Sequence, residues 1–266
     1  MRTNLLKFFS LSALSIFIVL ILFIVLAIVG KVSIGTLQEA IFSKEIQFAV
    51  KLSLMTASIA TLLGVIVGAP SAYALARYNF KGKELIDSLI DLPVILPPLI
   101  SGFALLVFFG NTLIGRVITE NIINVVFSPT GIIVAQFFVA TPFIIKTSKA
   151  VFEGIDEKYE HIAQSLGMTK LKTFFKVVLP MAKNGILAGM ILAWARSMGE
   201  FGATLMLAGA TKMKTETLPI AVFLNISVGK LELALSVAFI FLVVAVLTIF
   251  SIKTIVKIGG DDYDKY

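Results

Sequence analysis

The chain has 266 residues, of which 58% are hydrophobic and 15% charged, with a formal net charge of +7 and a mean hydropathy of +0.99. That composition excludes a soluble domain and marks a polytopic membrane protein, whose cytoplasmic loops account for the basic balance without a nucleic-acid ligand. With no cysteine and one histidine, thiolate or histidine-rich metal centres, disulfides and cysteine nucleophiles are all excluded, and no cofactor or metal is expected.

Residues 9–29 form an uncharged run behind Arg2 and Lys7. The run exceeds a signal-peptide core and no small-residue cleavage site follows, so it is expected to be a retained first span that starts in the cytoplasm. Residues 52–76 form the second span, with Ala60, Gly64, Gly68, Ala72 and Ala76 at intervals of four. Such a stripe lets another helix approach closely, either in ordinary bundle packing or in the core of a moving bundle. Pro70 is expected to kink this span.

A polar connector, 77–91, leads into the third span, 92–115, which opens Asp91-Leu-Pro-Val-Ile-Leu-Pro-Pro98. Pro93, Pro97 and Pro98 forbid regular hydrogen bonding there. Irregular backbone at membrane depth survives only inside protein or facing water, so these prolines mark a hinge or cavity, or else a loop just outside the lipid. The fourth span is 131–150, with Pro142 inside it, the fifth is 185–207 and the sixth is 233–252. The tail 261–266 has the composition of a solvated end. Six spans place both termini on one side. Of the 23 Lys and Arg, 15 then fall on the cytoplasmic side, counting Lys146 and Lys149 at the end of the fourth span, and seven outside, with Arg196 inside the fifth span.

Between the fourth and fifth spans lies the longest polar interruption, 151–184. Asp156 can cap a short helix with Tyr159, Ile162, Ala163 and Leu166 on one face, which Gly167 ends. Thr169 can cap a second helix that carries Leu171, Phe174, Phe175 and Val178 opposite Lys170, Lys172 and Lys176, until Pro180 interrupts the ladder. Two readings fit this element: an amphipathic connector lying on anionic lipid, or a docking surface for a soluble partner. A helix-turn-helix reader of nucleic acid is discounted because both ends are tethered to the bilayer.

The fifth span carries Arg196 and Glu200, four residues apart and expected on one helix face. A charge at the bilayer centre costs about 2.5–3.5 kcal/mol on insertion scales, so such residues face protein or water. Gly185, Gly189, Ala193 and Ser197 add a second small-residue stripe, and Gly199 and Gly202 loosen the helix. Arg196, Ser197 and Glu200 are therefore candidates for a translocation path or gate, with Arg196 as the cation an anionic solute would meet. The alternative is an interhelical ion pair that fixes packing. No phosphate-binding loop occurs, since Gly82-Lys83 and Gly229-Lys230 lack its upstream glycine and following hydroxyl. If ATP drives this protein, another chain hydrolyses it.

The polar interruption resembles the EAA loop of ABC-transporter permeases, with Ala163, Gly167, Val177, Leu179 and Pro180 in register. The sequence departs where His161 and Ile162 occupy the Glu-Ala positions and Glu160 stands one place earlier. The segments Asp91 to Pro98 and Trp194 to Thr204, with Trp-Ala-Arg leading to Gly-Glu-Phe-Gly-Ala, resemble the molybdate/tungstate and sulfate branch of the ABC importers. The likeness covers roughly 47–257. It implies an all-α integral membrane protein with the six-span type I importer permease fold, N- and C-termini cytoplasmic, in one permease domain, 1–266. It also implies a homodimer in the cell membrane with two ATP-binding subunits inside and an extracytoplasmic oxyanion-binding protein outside. Glu160, His161, Ala163, Gly167, Leu179 and Pro180 would couple the ATPase, and molybdate or tungstate would be the cargo, with sulfate or thiosulfate as the alternative. An integral-membrane enzyme using Asp87, Asp91 or His161, or a passive channel, would leave the loop unexplained.

Overall fold

In the computed structural model, which describes the backbone of residues 2–260 and the side chains of 5–254, all regular structure among the described residues is helical. The helices are α1 (Arg2–Val29), α2 (Ile34–Phe42), α3 (Lys44–Arg77), α4 (Lys83–Ile95), α5 (Pro98–Asn111), α6 (Leu113–Asn121), α7 (Pro129–Gly154) and α8 (Lys158–Ser165). Then follow α9 (Lys170–Met198), α10 (Gly202–Ala208), α11 (Leu218–Ser227) and α12 (Leu231–Gly260). Helices α1, α3, α7, α9 and α12 are each long and apolar enough to cross a membrane, and α4 with α5 forms a sixth crossing if the bent pair is counted as one. The tail 261–266 lies outside the described residues.

The bundle is built around α7, which packs against α3, α9, α10 and α4. The two small-residue stripes explain how. A Cβ on Gly64 would fall 2.8 Å from Ile144 Cδ1, and one on Gly68 3.1 Å from Ile144 Cγ2. On the opposite side, a Cβ on Gly185 would collide with Val151, and one on Gly189 would lie 3.1 Å from Thr147 Cβ. Ile144 and Val151 thus seat in grooves that only glycine leaves open, and α7 is gripped between α3 and α9. Near the Gly167 end the core closes with Ala72, Leu75, Phe152, Val178 and Ala182. Helix α1, by contrast, is apolar and exposed on all sides, as a helix facing lipid should be.

Four local expectations change. The connector 77–91 is largely helical, because Gly82 at φ 84° turns the chain into α4. Pro93 lies inside α4, and the break comes later, where Leu96 before Pro97 is extended at ψ 134° and α5 starts afresh on Pro98. Helices α4 and α5 meet at 112°. Pro180 does not end its helix: the turn Phe174–Val178 widens to π geometry, with Leu179 N–H donating to Phe174 O, and the strand of hydrogen bonds passes the proline ring. The fifth span ends at Met198 rather than near 207, since Gly199 caps it and the chain restarts as α10. Pro70 sits within an unbroken α3.

Candidate functional site

Two clusters bring the singled-out residues together. The first lies where α9 stops. Arg196 Nη1 is 2.6 Å from Glu200 Oε2, and Glu200 Oε1 accepts the Ala203 N–H at 2.7 Å. Glu200 therefore lies just ahead of α10 and its carboxylate accepts an N–H of that helix's first turn, where backbone N–H groups favour negative charge. It is 1% exposed, whereas the Arg196 side chain is 28% exposed. The contact is a close ion pair without hydrogen-bond alignment, and Glu200 Oε2 has no hydrogen-bond partner among the described residues. Arg196 meets that carboxylate through Nη1 alone, and a guanidinium carries five N–H donors.

Beside this pair is a cavity of about 310 Å³ lined by Pro97, Pro98, Arg196, Gly199, Glu200 and Gly202, with Leu99 and Phe201. The cavity exists because the α4–α5 break and the α9–α10 break face each other: a Cβ on Gly202 would lie 2.9 Å from Pro98 Cβ, and one on Gly102 2.6 Å from Ala203 Cα. Ser197 and Pro93 are not part of it. Ser197 is buried, with its carbonyl accepting from Gln136 Nε2 at 3.0 Å. Pro93 lines a separate apolar groove with Pro142 and Phe138.

The second cluster is the 151–184 segment. Asp156 accepts from Lys158 N–H ahead of α8, and that bond, with the Lys158 ammonium beside it, holds its carboxyl below the usual range. Met168 N–H donates to Ala163 O across Gly167, whose φ is +87°, so glycine closes the helix with a left-handed cap. Thr169 caps the next turn by accepting from Lys172 N–H. The expected apolar stripe divides: Ala163 is buried, but Tyr159, Ile162 and Leu166 are exposed, as are Leu171 and Phe175 further on. His161 is also exposed. Leu179 and Pro180 follow the π turn inside α9.

Glu160 behaves differently. It is 8% exposed and points inward, where Tyr73 Oη donates to Oε2 at 2.6 Å and Arg77 Nε donates to Oε1 at 2.7 Å. Tyr73 also packs against Phe152 and Phe174, with ring centroids 5.5 and 4.8 Å apart. Sequence reasoning missed Tyr73 and Arg77; their four-residue spacing at the end of an apolar run was the available signal. It missed Gln136 as well. Asp87 and Asp91 engage Lys149 and Lys146, each at 2.8 Å, so the candidate acids of a membrane enzyme are occupied in pinning α4 to α7.

At the opposite end of the bundle, Lys212 Nζ donates to Glu45 at 2.7 Å, and the adjacent Glu216 accepts from Met213 N–H. Glu216 is fully buried. Burial, with the Glu45 carboxylate beside it, pushes its pKa up to about 7.

Comparison with known proteins places these features. Residues 60–257 match the family model described as binding-protein-dependent transport system inner membrane component. The chain is 37% identical over 220 residues, 83% of its length and 79% of the relative's, to a probable molybdenum ABC transporter permease protein of Haloferax volcanii. It is 33% identical over 251 residues to the sulfate transport system permease protein CysT of Salmonella typhimurium, covering 92% of this chain and 91% of that one. Among solved structures, a chain of a bacterial alginate ABC transporter in complex with its pentasaccharide-bound periplasmic protein superposes with a TM-score of 0.73 at 15% identity, over 94% and 93% of the two chains.

Proposed function

The chain belongs to the binding-protein-dependent transport system inner membrane components, and on that premise we propose that it carries an oxyanion, molybdate or tungstate, across the membrane. It is a multi-pass permease of an ABC importer, its ATPase is a separate subunit, and it works with a binding protein. The oxyanion reading rests chiefly on one observation. Arg196 stands at a cavity between two broken helices, 28% exposed and paired through Nη1 with Glu200, in a lining whose other residues are Pro, Gly and apolar groups.

A planar guanidinium fork suits an oxyanion because it offers parallel N–H donors to two oxygens at once. Glu200 limits the strength of that interaction. An anion arriving at Arg196 competes with a carboxylate 2.6 Å away, so it is held briefly and released. Transport needs only that the two access states differ in their affinity for the solute, so tight binding is not required. In the proposed assembly two copies of the chain enclose the path, with Arg196, Glu200, Pro97 and Pro98 facing it. An ATPase subunit docks on the exposed Tyr159, Ile162 and Leu166 of each Gly167 segment. Excess Lys and Arg put that segment in the cytoplasm, where the ATPase works. Sulfate is the second reading, supported by the 33% identity to a sulfate permease over nine tenths of the chain.

The test is uptake into vesicles holding the complete complex, with molybdate, tungstate and sulfate in competition, for wild type and Arg196→Gln. Molybdate and tungstate should compete at lower concentrations than sulfate. R196Q should lower uptake about tenfold while the complex still assembles, from the loss of a charge-assisted contact. Sulfate competing best would replace the cargo. R196Q failing to assemble would make the ion pair a packing device.

A further inference from the structure

Among the residues that the resemblance assigns to ATPase coupling, Glu160 faces inward, away from the exposed Tyr159, Ile162 and Leu166. We propose that Tyr73, Arg77 and Glu160 form a latch that ties α8 to the end of α3, making Glu160 a positioning residue that passes the loop's movement to that span. This inference rests on the reading that the Gly167 segment receives the ATPase.

Three observations carry it. First, both carboxylate oxygens of Glu160 are engaged by α3, one by Tyr73 and one by Arg77. Second, Arg77 does more than pair: its Nη2 donates to Ile155 O at 2.6 Å, where α7 ends. One guanidinium therefore holds the last residue of α3, the end of α7 and the middle of α8. Its side chain is 7% exposed and that of Glu160 11%, so solvent weakens the pair little. Third, α8 has few other anchors. A helix of eight residues does not hold itself in water, and in α8 only Glu160 and Ala163 are buried.

The consequence is mechanical. Force on the exposed face of α8 reaches α3 through a short, charge-assisted contact. Removing one partner of such a buried pair leaves the other charge uncompensated, so the contact resists being pulled open. Helix α9 gives a second route, since it runs unbroken from Lys170 beside the loop to Arg196 at the cavity. The loop would move the two helices that grip α7, one through its backbone and the other through the latch.

The test uses the complete complex in vesicles and measures solute uptake and ATP hydrolysis together. Glu160→Gln keeps the shape and an acceptor for Tyr73 but removes the charge, and Tyr73→Phe removes one hydrogen bond. Assembly should be retained in both, while uptake per ATP hydrolysed falls about tenfold in E160Q and less in Y73F. Exchanging the pair, Arg77→Glu with Glu160→Arg, should recover part of that ratio, which a general loss of stability would not. Should E160Q fail to assemble, Y73F carries the test, and an unchanged ratio in Y73F overturns the latch. It is also overturned if E160Q sheds the ATPase while Y73F and R77Q retain it, because Glu160 would then touch the partner directly. Wild type that captures no ATPase refutes the loop reading itself, and the latch with it.

Discussion

At the scale of single residues, charge that must be buried tells most about this protein. Glu216 shows what burial does to a carboxyl that has a second carboxylate, Glu45, beside it. Its pKa is raised from 4.5 to about 7, so the folded protein binds a proton that the unfolded chain releases between those values. The stabilisation is complete below the unfolded value and is lost as pH rises through about 7. Thermal unfolding of the purified protein should therefore occur at a higher temperature at about pH 5.5 than at about pH 8.5, and Glu216→Gln should flatten the difference. A midpoint in E216Q that depends on pH as wild type does would assign the effect to another group. Arg196 and Glu200 were legible in the sequence because charges stand out in an apolar run. Their four-residue spacing suggests one helix face, and the two do meet, but Gly199 ends the helix first and Glu200 lies in the break before α10. Arg77 escaped notice for the opposite reason. At the end of an uncharged run it looks like an ordinary loop charge, and the partners that engage it, Glu160 and Ile155 O, lie 83 and 78 positions away.

At the scale of elements, the Gly167 segment was read well in its punctuation and less well in its continuation. Gly167 and Thr169 stop and start helices where local chemistry says they must, because a positive φ and a hydroxyl cap are properties of those residues alone. Pro180 fails as a stop because the preceding turn absorbs it as a π turn, a solution that neighbouring helices stabilise and spacing does not reveal. The break at Pro97 was foreseen, but not the 112° angle it produces or the helix α4 before it. A Cβ on Gly167 would meet nothing within 4 Å, so a side chain there obstructs only what docks from outside. Gly167→Ala and Gly167→Trp share the backbone penalty of a positive φ, about 1–2 kcal/mol. Co-purification of the ATPase should survive G167A largely intact and be lost in G167W. Equal behaviour of the two variants would mean that this surface is not the docking face, and the lipid-lying reading would stand.

At the scale of the whole molecule, hydropathy and the small-residue stripes were enough to give an all-helical membrane bundle. The stripes on α3 and α9 predicted close approach, and α7 fills both. What the sequence withheld was which helix lies between them, since that depends on distant pairs such as Gly64 with Ile144 and Gly185 with Val151. The crossing count depends on how the bent α4–α5 pair is taken, five continuous helices or six with the pair. That bend matters for function because it brings Pro97 and Pro98 against Gly202 and opens the cavity at Arg196. The shape of the molecule thus follows from helices that are broken at two facing places and gripped elsewhere.

The most direct test of this account is ATP hydrolysis by the chain reconstituted in vesicles with its co-purifying ATPase and its binding protein, with and without molybdate, tungstate or sulfate. Hydrolysis that rises only when an oxyanion-loaded binding protein is present is the predicted result. Hydrolysis indifferent to every oxyanion, or no ATPase recovered with the chain at all, would contradict it.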